Sequence, residues 1–297
     1  MLACILTLSL AFTFTSCSNG SSSDSDDEKP TYTVTFNPNG GSGTMNSQIF
    51  VYGEPQKLSP NKFTMDGKDF LGWAKTSGGN IAYDDSSEYT IGAADVTLYA
   101  VWGKFVNADT DKAAAAIATL ESGTSSENTN IYTIKITSGE ITNKKLYDIG
   151  TAINKNRNYM RYILDLTAGA NTNELTEIVD YTFQSCNLYG ITLPNSIKSI
   201  GNNAFENNKF ECIVIPNSVE TIKTSAFKDC INLTEITLPA NLTFIDASAF
   251  AGTALKTVNY KGTQTQWEAL KANISTTGND KLIGAKIICT DGVINGE

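Results

Sequence analysis

The sequence predicts a mainly β protein with some α: a small compact β module, followed by a repeat solenoid whose two ends are closed by α/β caps. Between residues 32 and 103, short strands with alternating apolar residues are separated by turn residues. Further along the chain, an apolar strand motif and an Ala-Phe pair recur at intervals of 22 and 23 residues. The 297 residues are 41% hydrophobic and 18% charged, which is ordinary for a globular protein.

The amino terminus has the features of a targeting signal. The apolar run from Leu2 to Phe14 is shorter than the about 20 residues that cross a membrane, but it suits the core of a signal peptide. It leads into Thr15-Ser16-Cys17, which resembles the lipobox of bacterial lipoproteins. The resemblance implies that residues 1–16 are a signal peptide and that a lipid on Cys17 makes the membrane a partner. The alternative is a signal cleaved elsewhere with Cys17 a stray thiol. Since no Lys or Arg precedes the apolar run, a start codon upstream of Met1 stays open.

Residues 17–31 are predicted to be a disordered tether. The stretch SNGSSSDSDDEKP contains no apolar side chain and therefore cannot contribute to a core. Its acidic run is better explained as a solvated linker than as a calcium site.

The module at 32–103 begins with a half-buried strand in which Tyr32, Val34 and Phe36 share one face. The segments YTVTFNPNGGSGTM, FLGW and TLYAVW, the last a predicted closing strand Thr97–Trp102, together resemble the Listeria-Bacteroides repeat, also called the internalin B-repeat. The resemblance implies a β-grasp-like spacer or adhesive module on cell-surface proteins.

Two groups of residues in this module could be interpreted either as a functional site or as an ordinary turn. Gly40, Gly41 and Gly43 are predicted to form a hairpin turn rather than a phosphate loop, because no Gly-Lys-Ser/Thr and no helical pattern follow them. Asp84 and Glu88 could form a carboxylate pair, but they lie in a Ser-rich segment that is predicted to be a solvated turn.

The repeats are predicted to span residues 160–262. Their inner strands end in the motifs ITLP, IVIP and ITLP, and the first copy, Ile163–Leu166, is followed by an insertion near residues 169–174. A period of 22 to 23 with the pattern Leu-x-x-Ile-x-Leu is typical of a leucine-rich repeat, in which each unit is one turn of a solenoid. The phenylalanines predicted to fill the interior at this spacing are Phe183, Phe205, Phe227 and Phe250.

The sequence of these units resembles the BspA-like leucine-rich repeats, most clearly in the segment NSVETIKTSAFKDCINLTEITLP. The resemblance implies a surface protein linked to adhesion. The flanks are predicted to be an N-terminal cap at 104–159 and a C-terminal cap at 263–297. The elements predicted within them are a helix at 112–120, a strand at 131–136, a helix at 144–156, a helix opened by a capping box at Thr265-x-x-Glu268, and a strand at 287–289.

Several kinds of chemistry are poorly supported. The chain has no histidine, which removes the usual general base and the commonest zinc ligand, and a net charge of −9 disfavours nucleic acid as a partner. Cys186 and Cys230 occupy equivalent places two repeats apart. Two repeats separate the two cysteines by roughly 9 to 10 Å, which is beyond the reach of a disulfide. Both are therefore predicted to be buried thiols. Cys212 is predicted to face the concave side. We therefore predict no catalytic residue, metal site or cofactor, and no enzyme activity.

The leading hypothesis is a surface lipoprotein, anchored in the outer membrane and facing the exterior, that acts as an adhesin for a host or bacterial surface protein or glycan. The alternatives are a structural envelope protein and, more remotely, a glycosidase using carboxylates such as Asp84 and Glu88. The predicted binding face consists of the outward strand positions Tyr189, Thr192, Glu211, Val214, Thr234, Glu235, Thr237, Lys256 and Asn259.

Overall fold

The computed structural model describes residues 29–123, 130–156 and 158–296. The predicted signal peptide, Cys17 and most of the predicted tether lie outside these residues. None of the helices in the described part of the chain combines the length and the apolar content that crossing a membrane requires.

The module forms a mixed β-sheet around an aromatic core. Its strands are β1 (Thr31–Asn37), β2 (Gln48–Val51), β3 (Pro55–Lys57), β4 (Asp69–Ala74), β5 (Ile81–Tyr83), β6 (Glu88–Thr90) and β7 (Val96–Asp109). The sheet order is β2-β1-β7-β4-β5, with β1 and β7 parallel at its centre, while β3 and β6 form a separate pair. The module is therefore mainly β, as predicted, with a central parallel pair flanked by antiparallel strands; none of its described residues forms the helix that a β-grasp fold packs on its sheet. Trp73 is fully buried in the core, where its ring lies 4.9 Å from that of Phe36.

β7 is longer than the predicted strand Thr97–Trp102, because it continues to Asp109. Its first half pairs with β1 and β4, and its second half, from Lys104 onward, pairs with the first strand of the cap. Gly103 lies between the two halves. Because glycine is depleted in strands, Gly103 looks like the end of a strand in the sequence. In the structure it lies inside the strand, because neighbouring strands approach closely at this position. The predicted boundary at 103/104 thus falls inside a continuous strand.

The N-terminal cap alternates helices with parallel strands. Its elements are α1 (Thr110–Ala118), β8 (Asn130–Ser138) and α2 (Asn143–Lys155), and the strand that follows is β9 (Met160–Asp165). Asp109 and Thr142 cap the two helices through their side chains. Both helices bury one apolar face against the sheet, as Ile117 and Ile149 show with 0% exposure. The two helices and the strand predicted in the cap are confirmed within two residues at most of their boundaries.

The repeats form a solenoid whose parallel strands lie on an outer and an inner side. The strands are β10 (Glu177–Ile178), β11 (Leu188–Thr192), β12 (Ser199–Ile200), β13 (Cys212–Val214), β14 (Thr221–Ile222), β15 (Glu235–Leu238), β16 (Phe244–Ile245) and β17 (Thr257–Tyr260). The even-numbered strands form the outer sheet. On the inner side, β11 extends the sheet of β7, β8 and β9, while β13, β15 and β17 pair with one another. We call this whole inner surface, from β7 to β17, the concave sheet. The inner strands lie at the predicted repeat positions.

The interior of the solenoid contains one phenylalanine from each repeat. The rings of Phe183, Phe205, Phe227 and Phe250 are stacked, with successive centroids 5.6, 5.3 and 5.3 Å apart. Each of these side chains is fully buried, as predicted. The stack follows the repeat axis, so each ring is covered by the repeats on either side.

A second buried ladder contains the equivalent positions Cys186, Asn208 and Cys230. The thiol of Cys230 donates to the carbonyl oxygen of Phe205 at 3.2 Å, and that of Cys186 donates to Gly150 at 3.3 Å. Both cysteines are buried, as predicted. The Asn208 amide lies between them and donates to two phenylalanine carbonyl oxygens.

The C-terminal cap closes the solenoid with α3 (Gln264–Lys271), α4 (Asp280–Ile283), β18 (Lys286–Cys289) and β19 (Gly292–Ile294). β18 pairs with β17 and covers the last repeat. The predicted capping box Thr265-x-x-Glu268 is wrong, because the box consists of Thr263 and Gln266. An N-cap residue needs an extended backbone, which Thr263 has at φ −79° and ψ 166°, whereas Thr265 already lies inside the helix.

A candidate binding cleft between the module and the solenoid

The module is folded against the concave sheet, and a cleft of about 820 Å³ lies between the two. One wall is the β4–β5 hairpin of the module, continued by Asp84 and Asp85. The floor is the concave sheet, from Phe105 in β7 to Val214 in β13. This placement follows from β7, since that strand belongs to both the module's sheet and the floor.

The tip of the β4–β5 hairpin is attached to the concave sheet by polar contacts. Lys75 Nζ lies 2.7 Å from Glu235 Oε2. The backbone N–H of Asn80 donates to Glu211 Oε2 at 3.2 Å, and its side-chain amide donates to the Lys209 carbonyl oxygen at 3.0 Å. The contacts lie at the amino-terminal ends of the concave strands, so the hairpin tip closes the cleft at that end.

Arg161 makes a further connection from β9. Its Nη1 donates to the carbonyl oxygen of Gly78 in the hairpin tip at 2.8 Å. Its guanidinium carbon lies 5.0 Å from the ring centre of Tyr189, one of the residues that line the cleft. The guanidinium therefore holds the hairpin and the tyrosine ring in one arrangement.

The floor of the cleft consists of side chains that are cross-strand neighbours. In one row, Phe105 is paired with Thr133, Thr133 with Ile163, and Ile163 with Gly190. The adjacent row on the carboxyl-terminal side contains Lys135, Asp165 and Thr192. Because the strands are parallel and in register, residues that are far apart in the sequence become a continuous surface.

Comparison with protein families gives matches for two parts of the chain that contribute to this cleft. Residues 32–101 match the Listeria-Bacteroides repeat domain, and residues 151–270 match the BspA type leucine rich repeat region in six copies. The chain carries both repeat types. The cleft thus lies between the Listeria-Bacteroides repeat and the sheet that runs from the N-terminal cap into the BspA-type repeats.

Among solved structures, the chain resembles a leucine-rich repeat protein from Bacteroides ovatus at 24% sequence identity and a TM-score of 0.34. The match covers 54% of this chain, which spans 40% of the length of that protein. No curated protein matches the chain. Both repeat types are typical of bacterial surface proteins, and they indicate a surface or protein-interaction role.

The predicted binding face is divided by the docked Listeria-Bacteroides repeat. Tyr189, Thr192 and Val214 line the cleft, and the Val214 side chain is 56% exposed. Glu211 and Glu235 instead hold the hairpin tip. The residues that lie further along the sheet, outside the cleft lining, are Thr234, Thr237, Lys256 and Asn259.

Two of those outer residues make side-chain hydrogen bonds within the sheet. Thr234 Oγ1 donates to the Glu211 carbonyl oxygen at 3.3 Å, and Asn259 Nδ2 donates to Glu235 Oε1 at 2.8 Å. They support the glutamates that hold the hairpin. Whether any residue of the predicted face binds a ligand stays a prediction.

The sequence patterns missed the part of the floor that the N-terminal cap supplies. Thr133, Lys135, Ile163 and Asp165 line the cleft, although none of them was predicted as a site residue. The alternation in β8 and β9 indicated strands, but only the pairing of β7 with β8 places these side chains opposite the Listeria-Bacteroides repeat. No local signal in the sequence gives that pairing.

Tyr83 and Cys212 lie near Lys75 at the closed end of the cleft. Burial raises the pKa of Tyr83 to about 12, against the opposing effect of the Lys75 ammonium group. Burial, reinforced by the Glu235 carboxylate, also raises the pKa of the Cys212 thiol. Both groups are therefore protonated at neutral pH, and Cys212 faces the concave side as predicted without the properties of an activated nucleophile.

The carboxylate pair of the remote glycosidase alternative is not brought together in the cleft. Asp84 lines the cleft, whereas Glu88 belongs to β6 and is not part of the lining. Both families matched by the chain are non-enzymatic interaction modules. The arrangement is suited to holding a ligand.

Proposed function

We propose that this protein is a lipid-anchored surface protein of the bacterial outer membrane, and that it acts as an adhesin by binding a host or bacterial surface protein or glycan. The observation that carries this proposal is the cleft of about 820 Å³ between two repeat types that are typical of surface proteins. Ligand sites are typically clefts of about 300 to 1,000 Å³ with mixed aromatic and polar linings. The cleft lies within that range.

The anchoring part of the proposal rests on the amino-terminal sequence. The apolar run, the lipobox-like TSC at residues 15–17 and the polar stretch after it together resemble a lipoprotein signal. A flexible tether of this composition would hold the folded part away from the membrane. The cleft would then be accessible to ligands outside the cell.

The test is protease treatment of intact cells that express the chain, followed by detection with an antibody to the repeats. We expect protease to remove the wild-type signal and Cys17→Ala to release the protein into the medium. Cys4→Ala is the matched control, because it removes a cysteine from the apolar run and leaves the lipobox intact. Wild-type protein that stays protected in intact cells and is digested only after lysis would contradict surface exposure and favour an inward-facing envelope role.

A further inference from the structure

We propose that the cleft between the Listeria-Bacteroides repeat and the concave sheet is a binding site for a neutral oligosaccharide. This inference rests on the proposed function, because it names the class of ligand for the same cleft. It is carried by three features of the lining: flat aromatic side chains, balanced polar groups, and a buried hydroxyl group without a partner.

Aromatic residues line the cleft on both sides. Tyr83 belongs to the wall, and Phe105 and Tyr189 belong to the floor. Lys135 covers one face of the Phe105 ring, with its ammonium nitrogen 4.1 Å from the ring centre. A pyranose ring has one or two apolar C–H faces, which pack against flat aromatic surfaces of this kind.

The polar groups of the lining match a ligand with many hydroxyl groups. Hydroxyl groups both donate and accept, so they pair with carboxylates, amides and ammonium groups alike. The charged and amide side chains that line the cleft are Asp84, Asp85, Asp165, Lys135, Lys261, Asn195 and Asn217. Three carboxylates against two ammonium groups give no cationic surface for a phosphate, sulfate or uronic acid group, and the chain's net charge of −9 also disfavours an anionic polymer.

Thr133 supplies an unsatisfied hydroxyl group within this lining. The residue is 6% exposed, it lines the cleft, and its Oγ1 has no hydrogen-bond partner in the described part of the chain. Buried polar atoms of folded proteins are nearly always paired, and an unpaired one lowers stability. A hydroxyl group of a bound sugar would provide the missing partner.

Gly190 leaves space in the middle of the floor. The three atoms nearest to a Cβ built at this position all belong to the Ile163 side chain, at 3.4 to 3.9 Å, which is ordinary van der Waals contact. The glycine is therefore required neither by the backbone conformation nor by packing. Its absent side chain widens the cleft beside the Phe105, Thr133 and Ile163 row.

An extended peptide is a weaker match to the floor. Peptides that add a strand need the free edge of a sheet. The floor strands β8 and β9 are paired on both sides, so their backbone groups are already satisfied. At β11, which ends its sheet, the next repeat lies alongside, and the Lys209 N–H donates to the Leu188 carbonyl oxygen at 2.8 Å. The floor presents side chains, which suits recognition of a ligand by its faces and hydroxyl groups.

The test titrates the purified full chain with a panel of neutral tetra- to hexasaccharides built from glucose, galactose, mannose or xylose. Oligosaccharides that contain uronic acids serve as the anionic comparison. We expect at least one neutral member to bind with a Kd below about 1 mM, and the uronic acid counterparts to bind more weakly.

The Thr133→Val variant tests whether the sugar binds in the cleft, and it should not disturb the fold. Valine has the same shape and lacks the unpaired hydroxyl group, so we expect an equal or higher Tm together with a Kd about three- to tenfold weaker. Thr253→Val is the matched control, because that buried hydroxyl group donates to the Phe250 carbonyl oxygen at 2.8 Å, far from the cleft. It should lower the Tm and leave the Kd unchanged.

Gly190→Leu fills the floor and should abolish sugar binding, while Gly92→Leu, at an exposed loop position with open space around it, should have no effect. The proposal is overturned if no neutral oligosaccharide binds, if Thr133→Val leaves the Kd unchanged, or if Gly190→Leu leaves sugar binding unchanged. A surface-exposed protein that binds no sugar would contradict this inference and leave the proposed function standing.

Discussion

The Phe227 ring is covered on both sides, because Phe205 and Phe250 each lie 5.3 Å from it, centre to centre. Neighbouring repeats therefore bury each other's interior, and no repeat is stable alone. The apolar residues at this spacing were predictable from the sequence. The hydrogen bonds of Asn208 were not: its amide donates to two phenylalanine carbonyl oxygens and accepts from the Leu188 N–H, and only the geometry of the turns shows these partners.

Phe227→Ala should lower the free energy of unfolding by about 3 to 5 kcal/mol, because it opens a cavity in a stack that cannot collapse around it. Phe244→Ala is the control, since that side chain is 43% exposed in the outer sheet, and it should cost less than about 1 kcal/mol. Urea denaturation of the two variants measures both values. Equal losses would mean that the stack does not carry the stability of the solenoid.

β7 joins the sheet of the Listeria-Bacteroides repeat to the N-terminal cap, and Gly103 lies at this junction. A Cβ there would clash with the Ile131 carbonyl oxygen and would lie 2.5 Å from the Leu71 side chain. The strand was predictable, but its continuation past Gly103 was not. A glycine at the end of an alternating pattern looks like a boundary, and only the approach of β8 explains why a glycine is needed inside the strand.

Gly103→Val should lower the free energy of unfolding by about 1 to 3 kcal/mol, because the added side chain overpacks the contact between β4, β7 and β8. Amide exchange should become faster in β8, on the cap side of the junction. Gly92→Val, at an exposed loop position, is the control and should change neither quantity. Unchanged exchange in β8 would show that the strands tolerate a side chain at this junction.

Across the whole molecule, the Listeria-Bacteroides repeat is attached twice, covalently through β7 and by polar contacts through the tip of the β4–β5 hairpin. The spacer role that its resemblance implies suggests an independent unit, whereas the structure shows it packed over the concave sheet. The hairpin tip covers part of the predicted binding face, so that face is divided into residues that line the cleft and residues that lie outside its lining.

A combined Lys75→Ala, Asn80→Ala and Arg161→Ala variant tests this docking. The Lys75 ion pair is half-exposed and contributes about 0.2 to 1 kcal/mol. Asn80 is buried, so the loss of its side-chain hydrogen bond to the Lys209 carbonyl oxygen should cost about 0.5 to 1.5 kcal/mol. We therefore expect a decrease in Tm together with faster amide exchange in residues 75–82. Lys144→Ala breaks a comparable exposed ion pair, with Asp148 at 2.7 Å, and should leave exchange in the hairpin unchanged. Exchange that stays slow in the combined variant would mean that these contacts do not hold the hairpin.

The sequence by itself determined the two repeat types, the positions of the repeat strands, the interior phenylalanines and the helices of the N-terminal cap. The repeat types rest on the resemblance of quoted segments to known families. The strands, the phenylalanines and the helices depend on local alternation and on a period of 22 to 23 residues, both of which are visible along the chain. The tertiary structure alone decided that β7 continues into the cap, that the hairpin tip contacts Glu211 and Glu235, and that Thr133 and Gly190 lie in one cleft. Each of these results depends on contacts between residues that are distant in the sequence. A local sequence pattern does not show which distant residues are in contact.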